Sequence, residues 1–347
     1  MSEIMIIGDI NLKNLTDPAV PFARIGETLH AADAVLANLE CCLFEPGNGH
    51  HGEDKAFHVK PEIGREALKA SGVTAVGIAN NVNFGTPAIL SSVLNLDEIG
   101  VLHSGAGANI EAARAPVVVE TDDSRIGFFQ KSTLYWPTGH AASAKDPGIA
   151  VLAAHTAYQV PLYGNMLGDG TKPLNRPGVP PQIVTWADPR HLDDMRREIE
   201  ELRKKSDFVV ASIHWGLNKE VLEYMEQIGR AAVDAGADVV FGHGPHYALP
   251  VEVYKGKPIF YGLGCFAFNT GHNGKHGDWV GMVVKFSLKK GETENMRLQF
   301  VRNNAQGETV TCSAQEAEAT IAGVTRSSAA YGTSFTPSGD ELLIGGL

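Results

Sequence analysis

Five short apolar runs, each followed by a side chain that can bind a metal, constrain the fold of this chain more than any other feature. Short continuous runs rich in β-branched residues are typical of strands buried on both faces of a sheet. Helical periodicity lies between the runs, at residues 62–71, 87–99, 189–205 and 221–235. This alternation predicts an α/β fold in which helices cover a central sheet. The runs are residues 4–7, 34–39, 73–79, 208–213 and 239–241.

Polar side chains at the ends of these runs are expected to meet at one edge of the sheet. Ligands of open α/β sheets bind outside the carboxyl ends of the strands. The groups concerned are carboxylates, an amide and imidazoles, all of which can ligate a metal. The sequence therefore predicts a shared polar site at that edge. Its residues are Asp9, Glu40, Asn81, His214 and His243.

A second histidine adds to this set. In the segment Phe241-Gly-His-Gly-Pro-His246, glycine and proline hold two imidazoles three residues apart in a turn. Imidazole suits Zn, Mn, Fe or Co, but the same spacing is also typical of histidines that bond only to backbone, so the spacing leaves both interpretations open. Asp9 and Glu40 supply carboxylates, and a bridging carboxylate is what a dinuclear centre requires. Asn81 supplies an oxygen ligand without charge.

Composition restricts the partners and the compartment of the protein. The chain of 347 residues has a formal net charge of −11, and its most basic stretch, residues 196–205, mixes both signs at helical spacing, so we expect no nucleic-acid partner. The four cysteines form no disulfide framework and are expected to be small buried side chains. No apolar run reaches the roughly 18 residues of a membrane span, and the start lacks the features of a secretory signal. We therefore expect no membrane partner and a cytoplasmic location.

Two segments differ from the alternating pattern. Residues 134–187 are rich in proline, glycine and aromatic residues and show neither helical nor strand periodicity. Such long irregular segments often form lids, and we expect this one to close over a small or medium-sized substrate. Residues 306–347 are rich in small residues and are expected to be peripheral. Residues 1–305 are predicted to form one domain that carries the lid-like insertion.

Short motifs in the alternating part resemble those of a known family. In their order along the chain they are similar to the bacterial capsule-synthesis CapA (poly-γ-glutamate synthesis) family, over about residues 4–130 and 188–288. That family looks like a branch of the calcineurin-like metallophosphoesterases, so the resemblance implies a four-layer α/β/β/α sandwich with a dinuclear metal centre. The motifs are Gly8-Asp9, Asn38-Leu-Glu40, Ala79-Asn-Asn81, His214-Trp-Gly216, Gly242-His-Gly-Pro-His246 and the segment 250–268.

The resemblance also implies a role for each ligand. Glu40 is expected to bridge two divalent ions. The first metal position has weaker ligands than the second. We therefore expect one or two ions of Mn, Zn, Fe or Co. Asp9 and His246 are expected to hold the first ion, and Asn11 stands where the wider superfamily often has a second histidine. The ligands expected for the second ion are Asn81, His214 and His243.

The chain departs from the family pattern at Val82. The family usually has a histidine there, and in phosphoesterases that histidine protonates or stabilises the leaving group, which contributes roughly 10²–10⁴-fold to the rate. Without it, another residue supplies the proton, the substrate needs none, or catalysis is lost. His272 and His276 are candidates for the rim of the site, although histidines in loops of this kind are more often solvated surface residues. Smaller departures are Cys265, where asparagine is common, and Asn218-Lys219, where an acidic residue is usual.

Three functions are compatible with these residues. The leading hypothesis is a metal-dependent hydrolase, in which a metal-bound hydroxide attacks an amide or a phosphoester. The valine at position 82 slightly favours the amide. One alternative is a metal-dependent epimerase that acts next to a carbonyl, and another is a non-catalytic accessory protein of poly-γ-glutamate or capsule metabolism. The sequence determines neither the substrate, nor the identity and number of the metal ions, nor the oligomeric state.

Overall fold

The computed structural model describes residues 1–46, 57–159, 180–216, 218–268 and 279–347. Within these ranges the chain mixes helices and strands, which confirms the predicted α/β class. None of the described helices is long and apolar enough to cross a membrane. The helices are α1 (Gly26–His30), α2 (Pro61–Ser71), α3 (Thr86–Ile99), α4 (Ile110–Arg114), α5 (Pro189–Arg203), α6 (Glu223–Asp234) and α7 (Glu318–Ser328).

The described strands form two large sheets and three small ones of two strands each. They are β1 (Ser2–Asn11), β2 (Ala34–Leu39), β3 (Cys42–Leu43), β4 (His58–Val59), β5 (Ala75–Gly77), β6 (Leu102–Ser104), β7 (Ala106–Gly107), β8 (Val117–Glu120), β9 (Arg125–Ser132), β10 (Gly148–Ile149), β11 (Ala154–Gln159), β12 (Gln182–Ala187), β13 (Phe208–His214), β14 (Val239–His243), β15 (Val251–Tyr254), β16 (Lys257–Phe260), β17 (Cys265–Phe268), β18 (Gly281–Lys289), β19 (Glu292–Asn303), β20 (Thr309–Thr311), β21 (Phe335–Ser338) and β22 (Glu341–Ile344). The small sheets pair β3 with β4, β7 with β10 and β11 with β12.

The first large sheet has ten strands and combines parallel with antiparallel pairs. Its main path runs β21-β22-β19-β18-β1-β2-β5-β6, with β17 beside β1 and β20 beside β19. β1 is parallel to β2 and β17 and antiparallel to β18. The parallel pairs place Asp9 opposite Asn38 on one side and opposite Cys265 on the other. These three residues therefore lie side by side across neighbouring strands.

The second large sheet has six strands in the order β15-β16-β14-β13-β9-β8. Its four central strands, β9, β13, β14 and β16, are parallel, and the outer strands β8 and β15 are antiparallel to their neighbours. His214 and His243 are the last residues of β13 and β14 and lie opposite each other in register. Two imidazoles are thus placed at the carboxyl ends of adjacent strands.

The two large sheets pack against each other through a shared apolar core. One cluster of buried side chains includes Ile6 and Phe286 of the first sheet and Phe128 and Phe241 of the second. On the outer faces, α1, α2 and α3 cover the first sheet and α5 and α6 cover the second. Successive side chains of a strand point to opposite faces, so a strand between two such layers is buried on both of its faces. All six residues of β2 are accordingly buried.

Most of the predicted elements are present near their expected positions. Gly72 and Gly100 follow α2 and α3 with φ values of 73° and 72°, the left-handed conformation that often ends a helix. The prediction of a single central sheet is wrong, because the five apolar runs divide between two sheets. The runs that correspond to β1, β2 and β5 belong to the first sheet, and those that correspond to β13 and β14 belong to the second.

Residues 306–347, expected to be peripheral, contribute strands and buried side chains to the fold. The strands β20, β21 and β22 join the first large sheet, and Leu342 and Ile344 belong to the core shared by the two sheets. The hydroxyl of Ser328 accepts the backbone N–H of Val251 in the second sheet at 2.9 Å. This segment therefore completes the fold. Its strand pairings connect distant parts of the chain, which a local pattern of small residues does not reveal.

Regular structure is present in the predicted lid as well. The structure describes its residues 134–159 and 180–187, which include β10, β11 and β12, so the expectation that the segment lacks strands is wrong. β11 and β12 pair with each other, and β12 packs on α6, where the N–H of Thr185 donates to the carboxylate of Glu223 at 2.6 Å. Closure over a substrate stays a prediction. Outside the described residues lie 160–179, His272 and His276.

Gly8 lies where β1 closely approaches Gly264, the residue before β17. A Cβ at this position would lie 1.9 Å from the backbone carbonyl oxygen of Gly264, so Gly8→Ala is expected to lower the free energy of unfolding by about 1–3 kcal/mol or more. The matched control Gly323→Ala, in α7 where the space around the new Cβ is open, should raise it by roughly 0.5–1 kcal/mol. Urea unfolding followed by circular dichroism measures both changes. Unchanged stability of Gly8→Ala would contradict this packing.

Candidate metal centre

The six residues predicted to bind metal lie at the ends of strands from both large sheets. Because ligands bind at the carboxyl ends of parallel strands, the face-to-face packing brings the two sets of strand ends together. The residues divide into two groups that are each held by direct contacts. They are Asp9 in β1, Glu40 after β2, Asn81 in the loop after β5, His214 and His243 at the ends of β13 and β14, and His246 in the turn after β14.

Asp9, Glu40 and His246 form what we call the first group. His246 Nδ1 lies 3.0 Å from Asp9 Oδ2, and His246 Nε2 lies 3.5 Å from Glu40 Oε1. The amide nitrogen of Asn38 donates to Asp9 Oδ1 at 2.8 Å and to Glu40 Oε2 at 3.4 Å. Two buried carboxylates therefore converge on one imidazole, and a single amide holds both of them in place.

Asn81, His214 and His243 form the second group. His214 Nε2 lies 2.8 Å from Asn81 Oδ1, and His214 Nδ1 lies 2.8 Å from His243 Nδ1. The hydroxyl of Ser212 is 2.8 Å from His243 Nε2, a contact that can fix the orientation of this ring. Two imidazoles and one amide oxygen are a donor set that suits a divalent transition metal.

Gln130 of β9 connects the two groups across the gap between the sheets. Its Nε2 donates to Asn38 Oδ1 at 2.9 Å and lies 2.8 Å from His243 Nε2, and its Oε1 accepts the N–H of Ala79 at 2.7 Å. A Cβ on Gly77 would lie 2.2 Å from the Gln130 amide, so glycine at that position leaves the space that Gln130 occupies. No local sequence signal distinguishes Gln130 from other strand residues.

Opposite charges meet in the first group. Burial is the main reason why the pKa of Glu40 is raised well above its usual range. Burial acts in the same direction on Asp9, but the hydrogen bond and the charge of His246 outweigh it and lower the pKa of Asp9 to about 2. Burial opposes a charge on His246, yet the charge of Glu40 and the hydrogen bond to Asp9 raise its pKa well above the usual value. His246 thus supplies the positive charge that buried carboxylates require.

The two histidines of the second group have the opposite character. Burial lowers the pKa of His214 well below its usual value and lowers the pKa of His243 to about 4. Both imidazoles are therefore neutral at neutral pH, and the neutral imidazole is the form that binds a metal. The second group can accept a metal without first losing a proton from these rings.

The turn that carries His246 has an unusual backbone conformation. His246 itself has a φ of 63°, and Gly244 has a φ of 108°. A Cβ on Gly244 would lie 2.8 Å from the carbonyl oxygen of Trp215, so this position requires glycine. A residue with a side chain in the left-handed region is held there at a cost of roughly 1–3 kcal/mol, and such residues cluster at functional sites. Here the strained turn places His246 against Asp9.

Cys265 lies beside the first group. Its Sγ, a carboxylate oxygen of Asp9 and a ring nitrogen of His246 are all within 4.8 Å of one another. All four cysteines are unpaired and buried, as expected, and burial raises the pKa of the Cys265 thiol to about 12. The sequence pattern identifies Cys265 only as a departure from the usual asparagine. That Cys265 lies beside Asp9 and His246 follows only from the pairing of β1 with β17.

The loop of Asn81 is held by the first residues of the predicted lid. Trp136 Nε1 donates to the carbonyl of Asn81 at 2.9 Å. His140 Nδ1 accepts the N–H of Trp136 at 3.1 Å, and His140 Nε2 donates to the carbonyl of Asn83 at 3.0 Å. Both ring nitrogens of His140 are therefore engaged with backbone. Val82, where the family histidine would stand, is itself only 3% exposed.

The donors present fit divalent metals at both groups, although Asn11 does not add to them. Carboxylate, imidazole, amide and thiol groups are the usual ligands of zinc and related ions. The side-chain oxygen of Asn11 accepts the N–H of Lys13 at 2.9 Å. Its amide nitrogen is buried without a hydrogen-bond partner among the described residues, and an amide nitrogen has no free lone pair for a metal.

Comparisons with known proteins agree with the motifs. The sequence profile of the family described as bacterial capsule synthesis protein PGA_cap matches residues 3–270. The uncharacterized protein y4sH of Sinorhizobium fredii is 29% identical over 286 residues, which cover 72% of this chain and 61% of that protein. The PGA biosynthesis protein CapA of Bacillus subtilis is 40% identical over 121 residues, 34% of this chain and 29% of that protein. A probable polyglutamine synthesis accessory protein of Mycobacterium tuberculosis is 26% identical over 241 residues, 67% of this chain and 55% of that protein.

The matched region contains both groups of donors, together with Gln130 and Cys265. The chain spans about three fifths of the length of the curated Sinorhizobium relatives that it matches. The family is part of the metallophosphoesterase-like superfamily, which confirms the resemblance carried by the motifs. The chain belongs to the PGA_cap family of bacterial capsule synthesis proteins.

Proposed function

We propose that this protein is a metal-dependent hydrolase that acts in the metabolism of poly-γ-glutamate or capsule material. The observation that carries this proposal is the convergence of two groups of metal-capable donors between the two large sheets, with contacts of 2.8–3.5 Å inside each group. The relative from Bacillus subtilis, whose name refers to PGA biosynthesis, supports the metabolic setting.

We also infer that the layers form the four-layer α/β/β/α sandwich of the metallophosphoesterases. Three apolar clusters support this arrangement. One lies between the two large sheets, one lies between the first sheet and α1 to α3, and one lies between the second sheet and α5 and α6. Superposition of an experimental structure on a metallophosphoesterase would test the inference directly.

The chain's own residues hold and orient the proposed centre. A divalent metal bound there would activate water and polarise a carbonyl or phosphoryl oxygen. Glu40 is proposed to bridge two ions, because it follows β2 directly and shares the Asn38 amide with Asp9. Ser212 and Gln130 contact the ring nitrogen of His243 that faces away from His214. Contacts of this kind fix the orientation of a ligating imidazole.

The surroundings of Val82 favour a substrate that needs no histidine as proton donor. His140 is held by the backbone through both ring nitrogens, so it does not take over that role. For this reason we favour an amide or another carbonyl substrate slightly over a phosphoester. The same reasoning supports epimerisation next to a carbonyl as a second reaction, because a metal that polarises a carbonyl also acidifies the neighbouring carbon.

A cavity of about 800 Å³ is lined by Tyr247, the residue after His246, and by none of the six proposed metal ligands; we propose that it binds a part of the substrate away from the reacting group. Its volume lies within the usual range of ligand pockets, about 300–1,000 Å³. Its lining includes Tyr247 and Lys219, whose Nζ lies 4.7 Å from the centre of the Tyr247 ring. A lysine in this wall suits a substrate that carries a carboxylate. The predicted lid contributes none of the lining residues in the part of the chain that the structure describes.

A non-catalytic accessory role is the second candidate function. The Mycobacterium tuberculosis relative is named as a probable accessory protein, and Val82 removes the histidine that assists catalysis elsewhere in the family. An accessory protein of this kind would keep the metal-binding groups without turning over a substrate. Metal binding and turnover must therefore be tested separately.

Removing one ligand from each group should reduce metal binding. We expect Asp9→Ala and His243→Ala to weaken the retention of divalent metal by at least about tenfold. The matched control is His155→Ala, because His155 pairs with Asp188 at the surface and should leave metal content unchanged. Elemental analysis after dialysis against metal-free buffer measures the bound ions. The assignment of the two groups fails if both variants retain as much metal as the unmodified chain.

Turnover distinguishes the candidate functions. The metal-loaded chain is expected to hydrolyse members of a panel of γ-glutamyl amides and phosphomonoesters, and Asp9→Asn should be about 10–100-fold slower or worse. Recovery of unhydrolysed substrate that has gained solvent deuterium would instead select the epimerase. Turnover by the metal-loaded chain no faster than that of Asp9→Asn would favour the accessory role. The surface variant His155→Ala is the control and should turn over substrate at the rate of the unmodified chain.

Titration of His140 should be visible in the pH dependence of stability. Burial lowers its pKa from 6.5 to about 4, so between these pH values the unfolded chain binds a proton that the folded chain does not. The free energy of unfolding should therefore fall as the pH drops from 6.5 to 4, with up to about 3 kcal/mol of the fall due to His140. Urea unfolding should show a shallower fall for His140→Gln than for the unmodified chain or the surface control His155→Gln. Equal slopes would contradict the buried, neutral state of His140.

A further inference from the structure

Cys265 has surroundings that the other cysteines do not share. It lies opposite Asp9 in the parallel register of β1 and β17, so the two side chains are neighbours on one face of the sheet. By contrast, the thiol of Cys42 donates to the carbonyl of Val82 at 3.3 Å, and Cys312 lies in the apolar core between the sheets. Among these three, Cys265 is the cysteine in contact with the proposed metal centre.

Three donors of different chemistry converge at Cys265. Its sulfur, an oxygen of Asp9 and a nitrogen of His246 lie within 4.8 Å of one another. Ligands around a tetrahedral zinc ion are roughly 3–4 Å apart, given metal–ligand distances of about 2.0–2.3 Å. Small side-chain movements would therefore bring all three atoms to one ion. Together with Glu40, the proposed bridging ligand, these donors would give the first ion four protein ligands.

The first group needs a ligand of this kind. The side-chain oxygen of Asn11 accepts the N–H of Lys13, and its buried amide nitrogen has no free lone pair for a metal. The carbonyl oxygen of His246 lies 3.8 Å from the Cys265 sulfur, so the thiol is held beside the same turn that presents the His246 ring. The sulfur is thus fixed from two sides, by the register with Asp9 and by the turn of His246.

We propose that Cys265 binds the first metal as a thiolate and that it selects zinc or cobalt over magnesium and manganese. This inference rests on the proposed metal centre. On binding, the S–H bond of Cys265 breaks and the charged ring of His246 loses a proton; both protons pass to solvent water while the sulfur and the ring nitrogen form bonds to the metal, so no oxidant or reductant is needed. A thiolate is a soft ligand that favours zinc, whereas magnesium and manganese prefer oxygen. The asparagine common in the family would offer an oxygen instead.

Cobalt spectroscopy of the full chain tests this proposal without an activity assay. The metal-free protein is titrated with Co²⁺ at neutral pH under reducing conditions, and a sulfur-to-cobalt charge-transfer band in the near ultraviolet is expected. The band should disappear in Cys265→Ser and persist in the matched control Cys312→Ser. Competition with a coloured chelator should show Zn²⁺ affinity at least about tenfold weaker in Cys265→Ser than in the control.

The outcomes separate this proposal from the metal centre on which it rests. Cobalt that binds with visible d–d bands but no charge-transfer band overturns the role of Cys265 and leaves the metal centre intact. Failure of the unmodified chain to bind cobalt at all overturns both. A charge-transfer band that survives in Cys265→Ser also overturns the proposal.

A second variant guards against misfolding of the first. Cys265→Asn introduces the residue common in the family, and circular dichroism and thermal unfolding report whether either variant has the native fold. A folded Cys265→Asn should bind cobalt without the charge-transfer band and should show a reduced preference for zinc over manganese. An undiminished preference would contradict the proposal even if Cys265→Ser does not fold.

Discussion

The packing of the two large sheets against each other is the constraint on which the candidate site depends. Their shared core includes Phe128 and Phe241, whose rings stack with centres 6.3 Å apart, and it brings strand ends from both sheets together. Gln130 then crosses the gap and bonds to Asn38 on the opposite sheet. A shift of one residue along any of these strands would turn its ligand to the other face. The register of the sheets therefore decides whether the donors meet.

Buried charge is the second constraint. Asp9 and Glu40 are almost fully shielded from water, and buried carboxylates are unfavourable unless a cation faces them. In this structure His246 faces them, from a turn with a left-handed backbone. Apolar side chains of similar volume often stabilise a fold at least as well as a buried ion pair. Charge and strain are therefore concentrated at one point of the fold, the contact of His246 with Asp9 and Glu40.

The departures from the family pattern change the centre in a consistent direction. Val82 removes a proton donor beside the second group, and His140 is tied to backbone and does not replace it. Cys265 adds a soft donor beside the first group. Lys219 places a positive charge in the wall of the neighbouring cavity.

The sequence by itself determined the parallel strands, most of the helices and the six strand-end residues, because burial on both faces and glycine caps leave local patterns within a few residues. It could not determine that the runs divide between two sheets, that residues 306–347 complete the fold, or that Gln130 and Cys265 lie at the site. These features depend on pairings between distant segments, such as Asp9 with Cys265 across β1 and β17. Only the tertiary structure decides them, because two strands can pair by hydrogen bonds whether they are close together or far apart along the chain.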